Sequence, residues 1–160
     1  MGITLESSHK DESDKILGIT DDIIVDVFEG IIRSKRITMA DVMTRDVITL
    51  DHTKTAYDAA MIMMKKRIGS VIITAYGKPF GIVTERDLAR LVAFLNIPAQ
   101  SLMLSFLASR PLIYATTSQS IQEASDMMGI HNIDHLPILE HGILVGMVTT
   151  KDLAKYLLCA

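Results

Sequence analysis

Two segments of the chain carry the same set of reactive groups. Gly81-Ile82-Val83-Thr84-Glu85-Arg86-Asp87 and Gly146-Met147-Val148-Thr149-Thr150-Lys151-Asp152 each place a threonine three residues before an aspartate, with a basic residue next to the acid. A β-branched run leads in and a helical apolar pattern leads out, so each sits at a strand-to-helix junction. Two kinds of chemistry suit such a junction. A threonine with an acid three residues on is a capping-box arrangement that needs no ligand. The other is recognition of an anionic, hydroxyl-bearing molecule. A helix N-terminus leaves N–H groups unpaired and favours phosphate. Arg86 and Lys151 add positive charge where a cap alone favours acids, and Asp87 and Asp152 can accept hydrogen bonds from ribose hydroxyls while cations take phosphates. These residues leave both readings open.

Other constellations are weaker. His131 and His135 flank Asp134 at a spacing that suits a metal pair on a helix. The pattern puts His131 at a helix end and His135 at the start of a strand, so they need not share a face, and metal binding is not expected. No nucleotide-binding glycine loop, serine nucleophile elbow or cysteine-rich spacing is present. No carboxylate pair is set for acid–base work, and Cys159 has no base near it in sequence, so an enzyme is not expected. Lys65-Lys66-Arg67 reads as a solvated helix end, with a phosphate contact from Arg67 as the minor alternative. The ten methionines fall mostly on apolar helix faces and read as core filler.

The elements that position these groups form an internal repeat. A constant offset of 65 positions carries Gly81 onto Gly146 and, without a gap, Arg45 onto Arg110, Ile48 onto Ile113, Ala59 onto Ala124, Met63 onto Met128 and Ile73 onto Ile138. In copy one, Val47–Leu50 reads as a strand, Ala56–Lys66 as a helix, Ser70–Thr74 and Phe80–Val83 as a hairpin around Tyr76-Gly77-Lys78-Pro79, and Thr84 to about Leu95 as a helix. Copy two reads alike: strand Leu112–Ala115, helix Ile121–His131, strands Leu136–Leu139 and Leu144–Val148 around His141-Gly142, and a helix from Thr150. A unit of this size is marginal alone, so two copies are expected to share a core, their small sheets packed face to face about a pseudo-two-fold axis. Such symmetry creates paired crevices between the copies. Before the repeats, Thr20 can cap a helix with Asp21 and Asp22 in its first turn, an apolar stripe of Ile24, Val27, Phe28, Ile31 and Ile32, and Arg33, Lys35 and Arg36 at its end. Domain limits are expected at 1–36, 37–99 and 100–160.

Bulk composition narrows the function classes. Of 160 residues 49% are hydrophobic, enough for a core, and 22% are charged, the balance of a globular chain. A net charge of −3 gives no basic field for nucleic acid or an anionic membrane surface. With 5% aromatics and no tryptophan, base-stacking platforms are not expected. One cysteine excludes an intrachain disulfide and fits a reducing cytoplasm, and Met1 to Lys15 is too polar for a secretory leader. Leu91 to Ser109 carries no charge, but Pro98 interrupts it, so two buried segments joined by a link are expected rather than a membrane span.

The repeats resemble the cystathionine-β-synthase (CBS) domain, which occurs in pairs as a Bateman module. The resemblance covers Ile37 to about Ala160 and rests on Asp41-Val42-Met43 leading into Val47-Ile48-Thr49, the apolar helix, the Leu136-Pro137-Ile138 strand and the two Gly-x-x-Thr-x-x-Asp segments. It implies an α/β (α+β) fold of two β-α-β-β-α repeats. It also implies a non-catalytic regulatory module whose crevices take an adenosine-containing ligand such as AMP, ADP, ATP or S-adenosylmethionine and relay occupancy to an effector protein. By resemblance the ribose-binding acids fall on Asp87 and Asp152, the helix-start hydroxyls on Thr84 and Thr149, and the phosphate-facing cations on Arg86 and Lys151. The opposite repeat would clamp the adenine, Val47 and Ile48 facing Asp152 and Leu112 and Ile113 facing Asp87, with Ser70 and His135 at a further phosphate-facing position. A homodimer is implied too. The alternative is a ligand-free scaffold or dimerisation module whose Thr-x-x-Asp segments are caps. The copies differ at Ile72 against Pro137 and Met43 against Ala108, so the crevices are expected to be unequal.

Overall fold

A short strand, a helix and a hairpin open the first repeat, each begun by a residue suited to begin it. The computed structural model describes residues 36–157; the helix expected from Thr20 onward and Cys159 lie outside them. Helix α1 (Met39–Val42) leads in, followed by β1 (Thr49–Asp51), α2 (Ala56–Lys66), β2 (Ser70–Ala75), β3 (Lys78–Thr84) and α3 (Glu85–Phe94). A 3-10 turn (Ala99–Ser101) and α4 (Leu104–Leu107) lead to α5 (Ile121–His131), β4 (His135–Glu140), β5 (Ile143–Thr149) and α6 (Thr150–Leu157). In the first sheet β1 pairs parallel with β2 and β2 antiparallel with β3; in the second, β4 pairs antiparallel with β5. Both hairpins turn through two residues at positive φ, Tyr76-Gly77 (52° and 74°) and His141-Gly142 (50° and 79°). That geometry matches strand twist and favours glycine at the second position. Helices α2 and α5 both end on a left-handed residue, Arg67 and Asn132.

The core is two clusters related by the 65-residue offset, and each borrows a segment from the other repeat. Ala59, Met63, Val71, Ile73 and Val83 are buried together with Leu104 and Ala108, from the start of repeat two. Ala124, Met128, Leu136, Ile138, Val148 and Leu153 are buried together with Met39, from the start of repeat one. The arms are held by matching backbone bonds. Met39 N–H donates to the Gln119 carbonyl (2.9 Å) and Ala40 N–H to Thr117 (3.0 Å); the corresponding Leu104 N–H donates to Lys54 (2.7 Å) and Ser105 N–H to His52 (3.0 Å). Further on, Thr44 bridges to Met147 on β5, and Ser109 bridges to Ile82 on β3. β3 and β5 lie against one another where the two sheets meet.

These crossings explain the glycine that opens each repeated motif. A Cβ on Gly81 would lie 2.8 Å from the Ser109 carbonyl oxygen, and one on Gly146 would run into the Met43 side chain. Gly81 therefore marks a close backbone approach and Gly146 a close approach of the Met43 side chain, each beside a register shift in its hairpin.

Two sequence expectations are corrected. Leu112–Ala115 is not a strand, and only Ala115 bridges to Ile138. In repeat one the Ile72 N–H donates to the Ile48 carbonyl at 3.1 Å. Its counterpart is Pro137, which has no N–H, so that rung cannot form. At the other end, where His52 N–H bonds the Thr74 carbonyl, the Thr117 N–H turns to the Glu140 carboxylate at 3.2 Å. The second correction concerns Leu91 to Ser109. Leu91, Leu104 and Ala108 are buried, but Val92, Phe94 and Phe106 are 83%, 81% and 75% exposed, because each short helix offers the core one face only. Among the described residues no helix is long and apolar enough to cross a membrane.

Candidate functional site

Every longer helix in the fold begins on the same device. In α3 the Asp87 Oδ2 accepts from the Thr84 N–H and hydroxyl, both at 2.8 Å, and the Asp87 N–H returns to the hydroxyl at 3.4 Å. In α6 the Asp152 Oδ2 accepts from the Thr149 N–H at 3.0 Å and the hydroxyl at 2.7 Å. The same box joins Thr55 to Asp58 and Ser120 to Glu123 at the starts of α2 and α5. The capping reading of the Thr-x-x-Asp segments is thus correct, and the motif by itself marks helix starts. It does not exclude binding. Capping occupies one carboxylate oxygen, and Oδ1 of Asp152 lies 3.7 Å from the Lys155 ammonium.

What separates the two copies is the space each faces. Crevice one has a volume of about 460 Å³, within the range of small-molecule sites. Thr149, Lys151 and Asp152 of repeat two line it together with Val47, Ile48 and Ser70 of repeat one. Seven of the residues singled out from sequence, His135 included, thus meet in one cavity. Arg67 lines it too, brought round by the left-handed end of α2, with Asp46 and Asp134. Crevice two, about 390 Å³, gathers Thr84, Arg86, Asp87 and again His135, with Glu85, Arg90, Ser109 and Asn132. Leu112 and Ile113 do not line it. Ile113 packs against the core of repeat two instead, consistent with the strand that fails to form there. Crevice two has only Ile82 and Ile133 as large apolar lining, and Arg86 is tied across it to Asp134 at 3.2 Å.

His135 and Gly69 belong to both crevices. The imidazole lies over Gly69, where an added Cβ would be 3.0 Å from Nε2. Burial pushes the His135 pKa below the ordinary histidine value, while the nearby carboxylates of Asp134, Glu85 and Asp152 act in the opposite direction. His131 ends α5 on the exposed surface, and among the described residues no cluster of histidine, cysteine and acids could hold a metal ion. Sequence reasoning missed Asp46, Gly69 and Asp134. They sit in links between elements, where periodicity does not mark them, and Asp134 entered the sequence reading only through its place between His131 and His135.

Comparison with known proteins fits this architecture. The model of the CBS domain matches residues 39–93 and 104–159, nearly the whole described chain, in two copies. The CBS domain-containing protein YhcV of Bacillus subtilis is 31% identical over 117 residues, covering 73% of this chain and 83% of that protein. Protein MK0525 of Methanopyrus kandleri is 34% identical over 123 residues, 76% of this chain, which spans 63% of its length. Among solved structures, the CBS domain pair of protein MJ0100, in complex with 5-methylthioadenosine and S-adenosyl-L-methionine, superposes with a TM-score of 0.67 at 24% identity, covering 75% of this chain and 94% of that one.

Proposed function

This chain belongs to the CBS-domain family as a tandem pair, and from that premise we propose that it is a non-catalytic regulatory module whose crevice one binds an adenosine-containing ligand: AMP, ADP, ATP or S-adenosylmethionine. The observation that carries the proposal is the meeting of Asp152, Thr149 and Lys151 from one repeat with Val47 and Ile48 from the other around one cavity of about 460 Å³. The roles follow from chemistry. Oδ1 of Asp152, the oxygen outside the cap, accepts from the ribose hydroxyls. Val47 and Ile48 cover the adenine face with apolar surface. Lys151, beside the first turn of α6, and Arg67 meet phosphate or another anionic group. The MJ0100 pair, bound to two adenosine compounds, supports the ligand class. A ligand held by both repeats stabilises one relative packing of them, and an effector protein senses that packing. Val92 and Phe94, exposed on α3, are the apolar surface we assign to a homodimer.

Crevice two favours a second reading for its own half. With its arginine paired to Asp134 and no adenine clamp from Leu112 and Ile113, the Thr84–Asp87 segment is a helix cap and no more.

Thermal melts against AMP, ADP, ATP, NAD, GTP and S-adenosylmethionine test the proposal. A ligand at about 100 times its Kd adds roughly 2.7 kcal/mol, a rise of several degrees. The expected result is a rise with an adenosine ligand that Asp152→Ala removes. A flat response to all six at millimolar concentration overturns the sensor reading and leaves the ligand-free scaffold.

A further inference from the structure

We propose that Asp134 sets the charge of the ligand that crevice one accepts, and that Arg86, outside that crevice, tunes this selection through its ion pair with Asp134. The proposal rests on the reading of crevice one as an adenosine site. Asp134 stands in the link before β4 and lines both crevices. At the 65-residue offset its counterpart is Gly69, so the opposite repeat supplies no matching acid. Crevice one is consequently lined by three carboxylates, Asp46, Asp134 and Asp152, against two permanent cations, Arg67 and Lys151. His135 adds no full charge near neutral pH, since burial keeps its pKa below the ordinary value.

A wall with that balance disfavours a polyphosphate and suits an adenosine ligand with little or no net negative charge, such as a monophosphate or a sulfonium nucleoside. Arg86 lines crevice two only, yet its guanidinium lies 3.2 Å from Oδ2 of Asp134 and offsets part of the charge that crevice one feels. Both partners are about half exposed, at 55% and 56%, so the influence is modest and salt-sensitive.

Calorimetric titration of S-adenosylmethionine, AMP and ATP at low ionic strength, on the parent chain and on Asp134→Asn, Arg86→Ala and the double variant, tests the selection. The parent should bind the low-charge ligands more tightly than ATP. Asp134→Asn should move the ratio toward ATP by about two- to fivefold, the scale of an exposed ion pair. Arg86→Ala should move it the other way, and the double variant should match Asp134→Asn. A ratio that stays fixed in Arg86→Ala, with measurable affinities in the parent, overturns the proposal and leaves the adenosine reading standing. Absence of all binding to the parent overturns that reading, and the ligand selection with it.

The electrostatic link has a separate readout without ligand, the titration of the His135 imidazole followed by NMR. The groups facing it are Asp134, Glu85 on α3 and Asp152 on α6. The midpoint should rise in Arg86→Ala, where Asp134 loses its partner, and fall in Asp134→Asn. A midpoint unmoved in both variants overturns the link whatever binds.

Discussion

The two crevices start from corresponding residues and end as different objects. Each has a capped helix with an aspartate and a basic neighbour, and both share Gly69 and His135. Crevice one adds an apolar wall because Val47 and Ile48 lead into a strand that pairs with β2. Crevice two has Ile82 and Ile133 in its lining instead; Leu112 and Ile113 stay out of it, and Pro137 has no N–H for the rung that Ile72 makes to Ile48 in repeat one. Duplication of a motif thus does not duplicate the surroundings that the motif faces.

The comparison can be broken most forcefully at that rung. Ile72→Pro should cost roughly 2–4 kcal/mol in urea denaturation, from a lost ladder bond and a lost buried side chain. Pro137→Ile should cost little and should protect the amide at that position from hydrogen exchange. Equal destabilisation by both would mean the proline is not what shortens the second sheet. Next come the acids. Asp152→Ala should weaken ligand binding about 10- to 100-fold, the loss of one charge-assisted bond, while Asp87→Ala should leave affinity nearly unchanged. Each should lower stability by about 1 kcal/mol through its cap. Equal losses of affinity would restore two equivalent sites.

The glycines sharpen the comparison on a smaller scale. Gly81→Ala places a methyl against the Ser109 carbonyl and should cost about 1–3 kcal/mol in thermal melts. Gly146→Ala meets the Met43 side chain, which can turn aside, and should cost less. The smallest effect is one of pH. The unfolded chain protonates His135 near the ordinary 6.5, whereas the folded chain does so only at lower pH. Stability should therefore decline as pH falls from that value toward the folded one and gain no further loss from this group below it. Ser70 holds the corresponding place in repeat one, so His135→Gln should remove this contribution to the slope.

Much of this was legible from residues. The 65-residue offset returns as paired contacts throughout the core, and both Thr-x-x-Asp segments are the caps their spacing announced. Helices α2 and α5 have the limits that periodicity assigned them. Three things were not legible. The arms at Met39 and Leu104 are short apolar segments whose partners lie in the other repeat, and local pattern cannot say which core a segment joins. The motif glycines carry no sign in sequence of the arm that crosses them. Asp134 lies in a link without periodicity, and its importance comes only from where the two repeats meet.

The exchanged arms make the two halves unequal in time as well as in space. A ribosome releases the chain from its N-terminus, and contacts near in sequence can close early while distant ones wait. The arm that completes the first sheet, through Ser109 on Ile82, emerges after the strands it joins, with α3 and α4 between. The arm that completes the second, through Thr44 on Met147, is made before everything else in the module and has no partner until β5 is out. Met39 and Met43 must wait through the synthesis of a whole repeat, and crevice one can close only once α6 has begun to emerge.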